Sequence, residues 1–293
     1  MNLASSRMDR FIIGINYILL TFCVLIIIVP LIYIVIASFM DPIALLNKGI
    51  SFNVSSWSLE GYRKILGNEA MTRGFINSVF YSVSFSILTI IVSVFAGYAL
   101  SVNELKGRNL FMTMFIVTMF FGGGLIPTYL LVKNLGMLDT VWAILLPGIV
   151  NVWDIILART FFKGIPNELK EAANVDGASD ATIFFRIVLP LSKPIIFVIA
   201  LYAFVGQWNS YFDAMIYLDN AKLYPLQLVL RSILIQNQTM PGMIGDQLAM
   251  AELKRLSEMI KYSSIVISSL PLLIMYPFFQ KYFEKGVLVG SLK

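Results

Sequence analysis

Apolar residues along this chain come in long runs separated by short clusters of charge. Charge-free windows extend over Phe11–Met40, Gly74–Asn103, Asn109–Val132, Pro194–Phe212 and Tyr262–Gln280. A sixth window, Thr140–Trp153, is shorter and must run through Asp154 toward Phe162 to match the others. A helix rises about 1.5 Å per residue, so about 20 apolar residues cross a hydrocarbon core of about 30 Å. The periods inside the windows are helical rather than alternating, which disfavours a barrel. The pattern predicts an all-α membrane protein with spans over 11–38, 75–102, 109–132, 141–162, 194–213 and 262–280. Loops 41–73 and 213–261 would lie on one side, and loop 163–193 on the other.

Composition points the same way. Of the 293 residues 58% are hydrophobic and 13% charged, with a mean hydropathy of +0.80; a soluble domain carries about 25% charged residues. The net charge of +5 is spread out with no basic block, so nucleic acid is not expected as a partner. Cys23 is the single cysteine and histidine is absent, which argues against a disulfide framework, a thiolate metal site and His-based acid–base chemistry. The first apolar run is much longer than a signal-peptide core and reads as a retained span.

An even number of spans puts both termini on one side. With the ends inside, segments 1–10, 103–108, 158–193 and 281–293 hold 12 of the 22 basic residues in the shorter total length. Lys/Arg bias therefore favours cytoplasmic termini. Two amphipathic stripes fall in the last outer loop: Leu226, Val229, Leu230, Ile233 and Leu234, then Ala249, Leu253, Leu256 and Ile260. A breaker-rich tip, Gln236–Asp246, separates them.

The polar stretch "ELKEAANVDGASDATIFFRIVLPLSKP", Glu168–Pro194, stands out in so apolar a chain. Pro166 and Asn167 predict a helix start with Asn167 as N-cap. Leu169, Ala172, Ala173 and Asp176 then share a face, and Gly177 ends the helix. Ser179 or Asp180 caps a second helix, Ala181–Leu189, which Pro190 stops. Two alanines would let the short helix approach a groove in another protein closely.

The run "EAANVDGASDATIFFRIVLP" resembles the EAA signature of ABC-importer permeases: Glu171-Ala172-Ala173, Asp176-Gly177-Ala178, Ile187 and Leu189-Pro190. "LIPTYLLVKNLGMLDT", "ARTFFKGIPNEL" and "YPFFQKYFEKGVLVGSLK" are similar to the carbohydrate branch, in particular to importers of complex oligosaccharides in Gram-positive bacteria. The resemblance covers nearly the whole chain. It implies the type I ABC-importer permease fold, with six transmembrane helices and a cytoplasmic coupling helix, in the bacterial plasma membrane. It also implies a homologous second permease, two ATP-binding subunits and a lipid-anchored or periplasmic sugar-binding protein. ATP and magnesium would be bound by the ATPase partners, and this chain would hold no cofactor; it has no GxxxxGK[ST] loop. Glu168, Glu171, Ala172, Ala173, Asp176, Gly177 and Ala178 would meet an ATPase subunit, and the tail from Gly286 to Lys293 would also approach it. Gln236, Gln238, Met240, Gly242 and Met243 are candidates for contact with the binding protein.

Sugar sites combine aromatic faces with amide and carboxylate hydrogen bonds. "GQWNSYFD", Gly206–Asp213, supplies Gln207, Trp208, Asn209 and Tyr211; Asn77, Tyr129 and Asn151 are further candidates. For Trp208 and Tyr211 an interfacial aromatic belt is an equal alternative. Asp154 either lines the path or lies low enough to reach the cytoplasmic interface. "FFGGGLIP", Phe120–Pro127, either unwinds the third span or packs it closely against a neighbour, and packing is favoured. An intramembrane enzyme would need paired acids, Ser-His or a metal set, and a stand-alone secondary transporter would need inverted repeats or several buried ionisable groups. Neither pattern is visible, so a non-catalytic transport subunit is the expectation, and the resemblance implies an oligosaccharide as its cargo.

Overall fold

The computed structural model describes residues 7–42, 44–45, 49, 57–236 and 247–291. Two compact units form: Met1–Asn68 with Ile233–Leu270, and Glu69–Ser232 with Pro271–Lys293. Helices account for all the regular structure among the described residues, apart from one isolated bridge between Met40 and Trp57.

In the first unit α1 spans Arg7–Ala37. It is apolar around its whole circumference, and none of its most apolar stretch is covered by the rest of the chain. A helix without a polar face needs lipid or another chain around it. Its C-terminal end is anchored: Ile36, Ala37, Met40 and Leu45 form a cluster against Tyr262. The short α2, Glu60–Leu66, brings Tyr62 to Ser38, the two hydroxyls 2.6 Å apart. The long α13, Gln247–Ser291, brings Ser263 Oγ to donate to the Ser38 carbonyl at 3.2 Å. Arg255 of α13 bridges Asp41 and Glu60. Phe39 stacks on Trp57 and tilts against Tyr62.

The second unit is organised around α3, Glu69–Ser101. Its buried face carries Ser78, Ser82, Ser86, Thr89, Ser93, Gly97 and Ser101; its exposed face carries Ile76, Phe80, Val83, Ile87, Ile91 and Phe95. This reverses the arrangement of a water-soluble helix. Small residues let backbones approach, and bulky apolar ones meet lipid or a neighbouring chain. Against the small face lie α7, Val152–Lys163, and α10, Lys193–Asn209. Ser86 Oγ donates to the Ser82 carbonyl at 2.7 Å and lies 3.4 Å from that of Ala200. Arg159 Nε donates to the Leu100 carbonyl at 3.0 Å, satisfying the last turn of α3.

Two windows are not single helices. The stretch 109–132 divides into α4, Arg108–Phe120, and α5, Leu125–Asn134, bent by 111°. Gly124, with φ +84°, turns the chain there, and residues 121–124 lie outside either helix. The glycines therefore unwind the segment, against the expectation of close packing. The stretch 141–162 holds α6, Trp142–Leu145, and then α7. Pro147 and Gly148 fall in the gap, and Asn151 restarts the chain as N-cap of α7, accepting from Trp153 N and Asp154 N. The second amphipathic stripe and the last apolar window join in one helix, α13, with Pro271 and Pro277 inside it.

Candidate functional site

The polar segment folds as α8, Asn167–Val175, followed by α9, Asp180–Ile183, a π turn Phe184–Val188 and a last turn Leu189–Leu191. The N-cap of α8 is Pro166, and Asn167 is its first helical residue with no side-chain cap, a shift of one from the expected start. Glu168 in the first turn complements the exposed N–H groups there. At the other end Ala178 N donates to the Ala173 carbonyl at 2.9 Å and Gly177 N to that of Asn174 at 3.0 Å. With Gly177 at φ +78° this is a Schellman ending. Ser179, not Asp180, caps α9 through Thr182 N at 3.3 Å. In the π turn Leu189 N reaches back to the Phe184 carbonyl. The wider turn suits Pro190, which has no N–H and would press on the carbonyl four residues back.

One side of α8 is fastened to its own core. Ala173 is buried with Val94, Ala158, Phe162, Ile183 and Ile199. Lys170 lies 5.9 Å over the Tyr98 ring, and Tyr98 in turn packs on Phe162 and Phe184. Ala173 thus faces inward, which corrects the reading of an alanine pair turned to a partner. The free side shows Leu169, Ala172 and Val175, flanked by Glu168, Glu171 and Asp176. Val175 is 88% exposed and was missed; its position three after Ala172 was the available signal. Gly177 is exposed and Ala178 packs partly against the cluster. Nearby, burial and the charges of Arg159 and Arg108 hold the Lys163 ammonium below its usual range.

The candidate path residues separate into three groups. Trp208 is fully buried, stacked on Phe204 with centroids 5.9 Å apart and edge-on to Phe75 at 5.6 Å. It belongs to the core, neither belt nor site. Asp154, on α7, is 2% exposed and lines no open surface of this chain. Asn77 and Asn151 do structural work. Asn77 Nδ2 donates to the carbonyls of Lys222 and Tyr224 at 2.8 and 3.0 Å, beside Tyr81 Oη donating to Leu223 and Ser78 Oγ accepting from Leu226 N. Asn151 accepts at the start of α7.

Gln207, Asn209, Tyr211 and Tyr129 remain accessible or half-buried. Asn209 Nδ2 donates to the Val205 carbonyl at 2.8 Å, and Tyr129 stacks on Tyr217 at 6.3 Å. Tyr217, on α11, Phe212–Tyr217, is buried, and this and the charge of Asp213 push its hydroxyl above the usual range. Asp139, at φ 56°, accepts from Asp219 N and Asn220 N at 3.0 and 2.8 Å, and so fixes the turn beyond α11. Arg231, on α12, Leu226–Gln236, escaped the sequence reading; it covers Tyr211 with 5.3 Å from guanidinium carbon to ring centroid. Gln236 ends α12, while Gln238, Met240, Gly242 and Met243 lie outside the described residues.

Comparison with known proteins places this geometry. The family model described as "Binding-protein-dependent transport system inner membrane component" matches residues 105–289. The polygalacturonan/rhamnogalacturonan transport system permease protein YtcP of Bacillus subtilis (strain 168) is 39% identical over 92% of this chain and 93% of its own length. Protein LplC of the same organism is 38% identical over 91% of this chain and 89% of its own. A crystal structure of a bacterial ABC transporter involved in the import of the acidic polysaccharide alginate contains a chain that superposes with a TM-score of 0.81 at 32% identity, over 95% of this chain and 98% of that one. The helical core around α3, the broken spans and the polar turn are therefore those of a member of the binding-protein-dependent transport system inner membrane component family.

Proposed function

We propose that α8 is the lever through which ATPase subunits drive this permease. The chain is a membrane permease component of a sugar-importing ABC transporter. The observation that supports the lever is the two-sidedness of α8: Ala173 and Lys170 bind it to the ends of α3, α7 and α10, while Leu169, Ala172 and Val175 with their flanking carboxylates stay uncovered. A rod fixed so firmly passes a push to the whole core as rigid-body motion. The π turn and the 73° bend at Ser192 give that motion a defined path into α10.

In this reading Glu168, Glu171 and Asp176 meet cations rimming a groove in an ATPase subunit, and ATP with magnesium is held there rather than here. The crowding of Arg108, Arg159 and Lys163 near the α8 end supports a cytoplasmic position for that end and for both termini. A second permease completes the pore, an external binding protein delivers the cargo, and the cargo is a sugar chain, in keeping with the polymers named for YtcP and the alginate importer. The test is Glu171→Lys in the full importer. Assembly in the membrane should persist while substrate-stimulated ATP turnover is lost. Normal stimulated turnover would overturn the lever.

A further inference from the structure

Among the described residues the guanidinium of Arg231 is the one cation seen over an aromatic candidate path residue, and none of their carboxylates forms an ion pair with it. Its partners are soft. Nη1 donates to Met215 Sδ at 2.8 Å, and the guanidinium carbon lies over the Tyr211 ring, 5.3 Å from its centroid. Met215 and Tyr211 are both exposed and Arg231 is half-buried. Of the acids nearby in the chain, Asp213, between Tyr211 and Met215, forms no ion pair with Arg231, and the Asp139 carboxylate accepts from Asp219 N and Asn220 N. A thioether and a ring face orient an arginine without neutralising it. They leave Nε and Nη2 as an open fork, the geometry that binds a carboxylate with two parallel hydrogen bonds. Arginine without an acid partner, held still at an accessible surface, is prepared for an anion that comes from outside the chain.

We propose that Arg231, positioned by Tyr211 and Met215, recognises the carboxylate of an acidic sugar unit, so that the cargo is a uronate-containing oligosaccharide. The proposal rests on the permease reading and deepens it. Gln207 and Asn209 on the preceding helix offer amide groups for hydroxyls, while Tyr211 offers its edge to the sugar ring. Arg231 is then a specificity determinant: it separates charged chains from neutral ones of the same shape.

The test uses the complete importer with its binding protein, reconstituted in proteoliposomes, and two probes: trigalacturonate and its trimethyl ester. Uptake and stimulated ATP turnover are measured for wild type, Arg231→Gln, Arg231→Lys and the nearby-cation control Lys222→Gln. Wild type should favour the acid. Arg231→Gln should raise KM for the acid about tenfold, the loss of one charge-assisted contact of about 1.5 kcal/mol, and leave the ester unchanged. Arg231→Lys should fall between, because a point charge lacks the fork, and Lys222→Gln should behave as wild type. Equal handling of acid and ester by wild type, transport of neither included, overturns the proposal. So does equal loss of both probes in Arg231→Gln, or the same shift in Lys222→Gln. The Glu171→Lys result bears on the lever alone, so failure of one reading is distinguishable from failure of the other.

Discussion

Gly97 meets Ala158 across the seam between α3 and α7, and a Cβ on residue 97 would lie 2.6 Å from the Ala158 Cβ. The Arg159 amide nitrogen and the Ile155 carbonyl would be 2.9 and 3.2 Å from it. Backbone atoms cannot swing aside as a flexible side chain can. Gly97→Ala should therefore destabilise by about 1–3 kcal/mol, the usual cost of overpacking, and Gly97→Val by more. Gly206→Ala is the control, since nothing lies within 4 Å of its Cβ position; it should be neutral or stabilising by up to about 1 kcal/mol. Thermal unfolding of the purified complex in detergent measures both.

Asn77 spends its amide on two carbonyls of the 222–224 turn. Asn77→Asp keeps the shape but places an acceptor against two acceptors. The loss of two hydrogen bonds, at about 0.5–1.5 kcal/mol each, should speed amide exchange at Leu226 and its neighbours about tenfold or more. Tyr81→Phe, which removes one bond to Leu223, should have a smaller effect. Hydrogen exchange followed by mass spectrometry reads both. Unchanged exchange in Asn77→Asp would show that the latch does not hold the turn.

At Gly177 the cost is in the backbone alone, since no neighbour would meet a side chain there. Alanine in this left-handed conformation costs about 1–2 kcal/mol, and asparagine costs less. Stimulated ATP turnover should fall in the order Gly177→Asn, Gly177→Ala, Gly177→Val, Gly177→Pro. Proline is last because it also deletes the N–H that donates to Asn174. A flat series would mean that the helix ending carries no coupling.

Burial lifts the Tyr62 hydroxyl above its usual value of 10, against the opposing effect of its hydrogen bond with Ser38. The folded state thus keeps its proton where the unfolded chain has lost it. The stabilisation is complete below pH 10 and is lost as pH rises above that toward the folded value. Tyr62→Phe should remove this alkaline decline and lower stability at neutral pH through the lost 2.6 Å bond. Thermal midpoints from pH 8 upward, by about half-unit steps, separate the two effects.

Much of this molecule was legible because lipid imposes a simple demand. Long charge-free runs such as Phe11–Met40 have few other uses, and Gly177 directly after the amphipathic turn that ends at Asp176 allows few other endings. Breaks were harder to read. Gly122–Gly124 satisfies both close packing and unwinding on paper, and only the break in the helix, with Gly124 at φ +84°, decides between them. Pro147 and Gly148 sit in an apolar window whose hydropathy hides them. Side-chain roles were least legible. Trp208 carries the right chemistry for a sugar face but is walled in by Phe75 and Phe204, residues 133 and 4 positions away in the chain. Asn77 likewise has its donors taken by a turn some 145 residues on. Arg231 became visible only when the fold brought Tyr211 and Met215 to it.

The interruption after Phe120 leaves α4 with 13 residues, about 20 Å of rise. A membrane interior of about 30 Å cannot be matched by so short a cylinder. The bilayer beside it has to thin, at fractions of a kcal/mol for each ångström of mismatch, unless another chain covers the deficit. A bilayer of shorter acyl chains should therefore accommodate this helix at lower cost than one of longer chains.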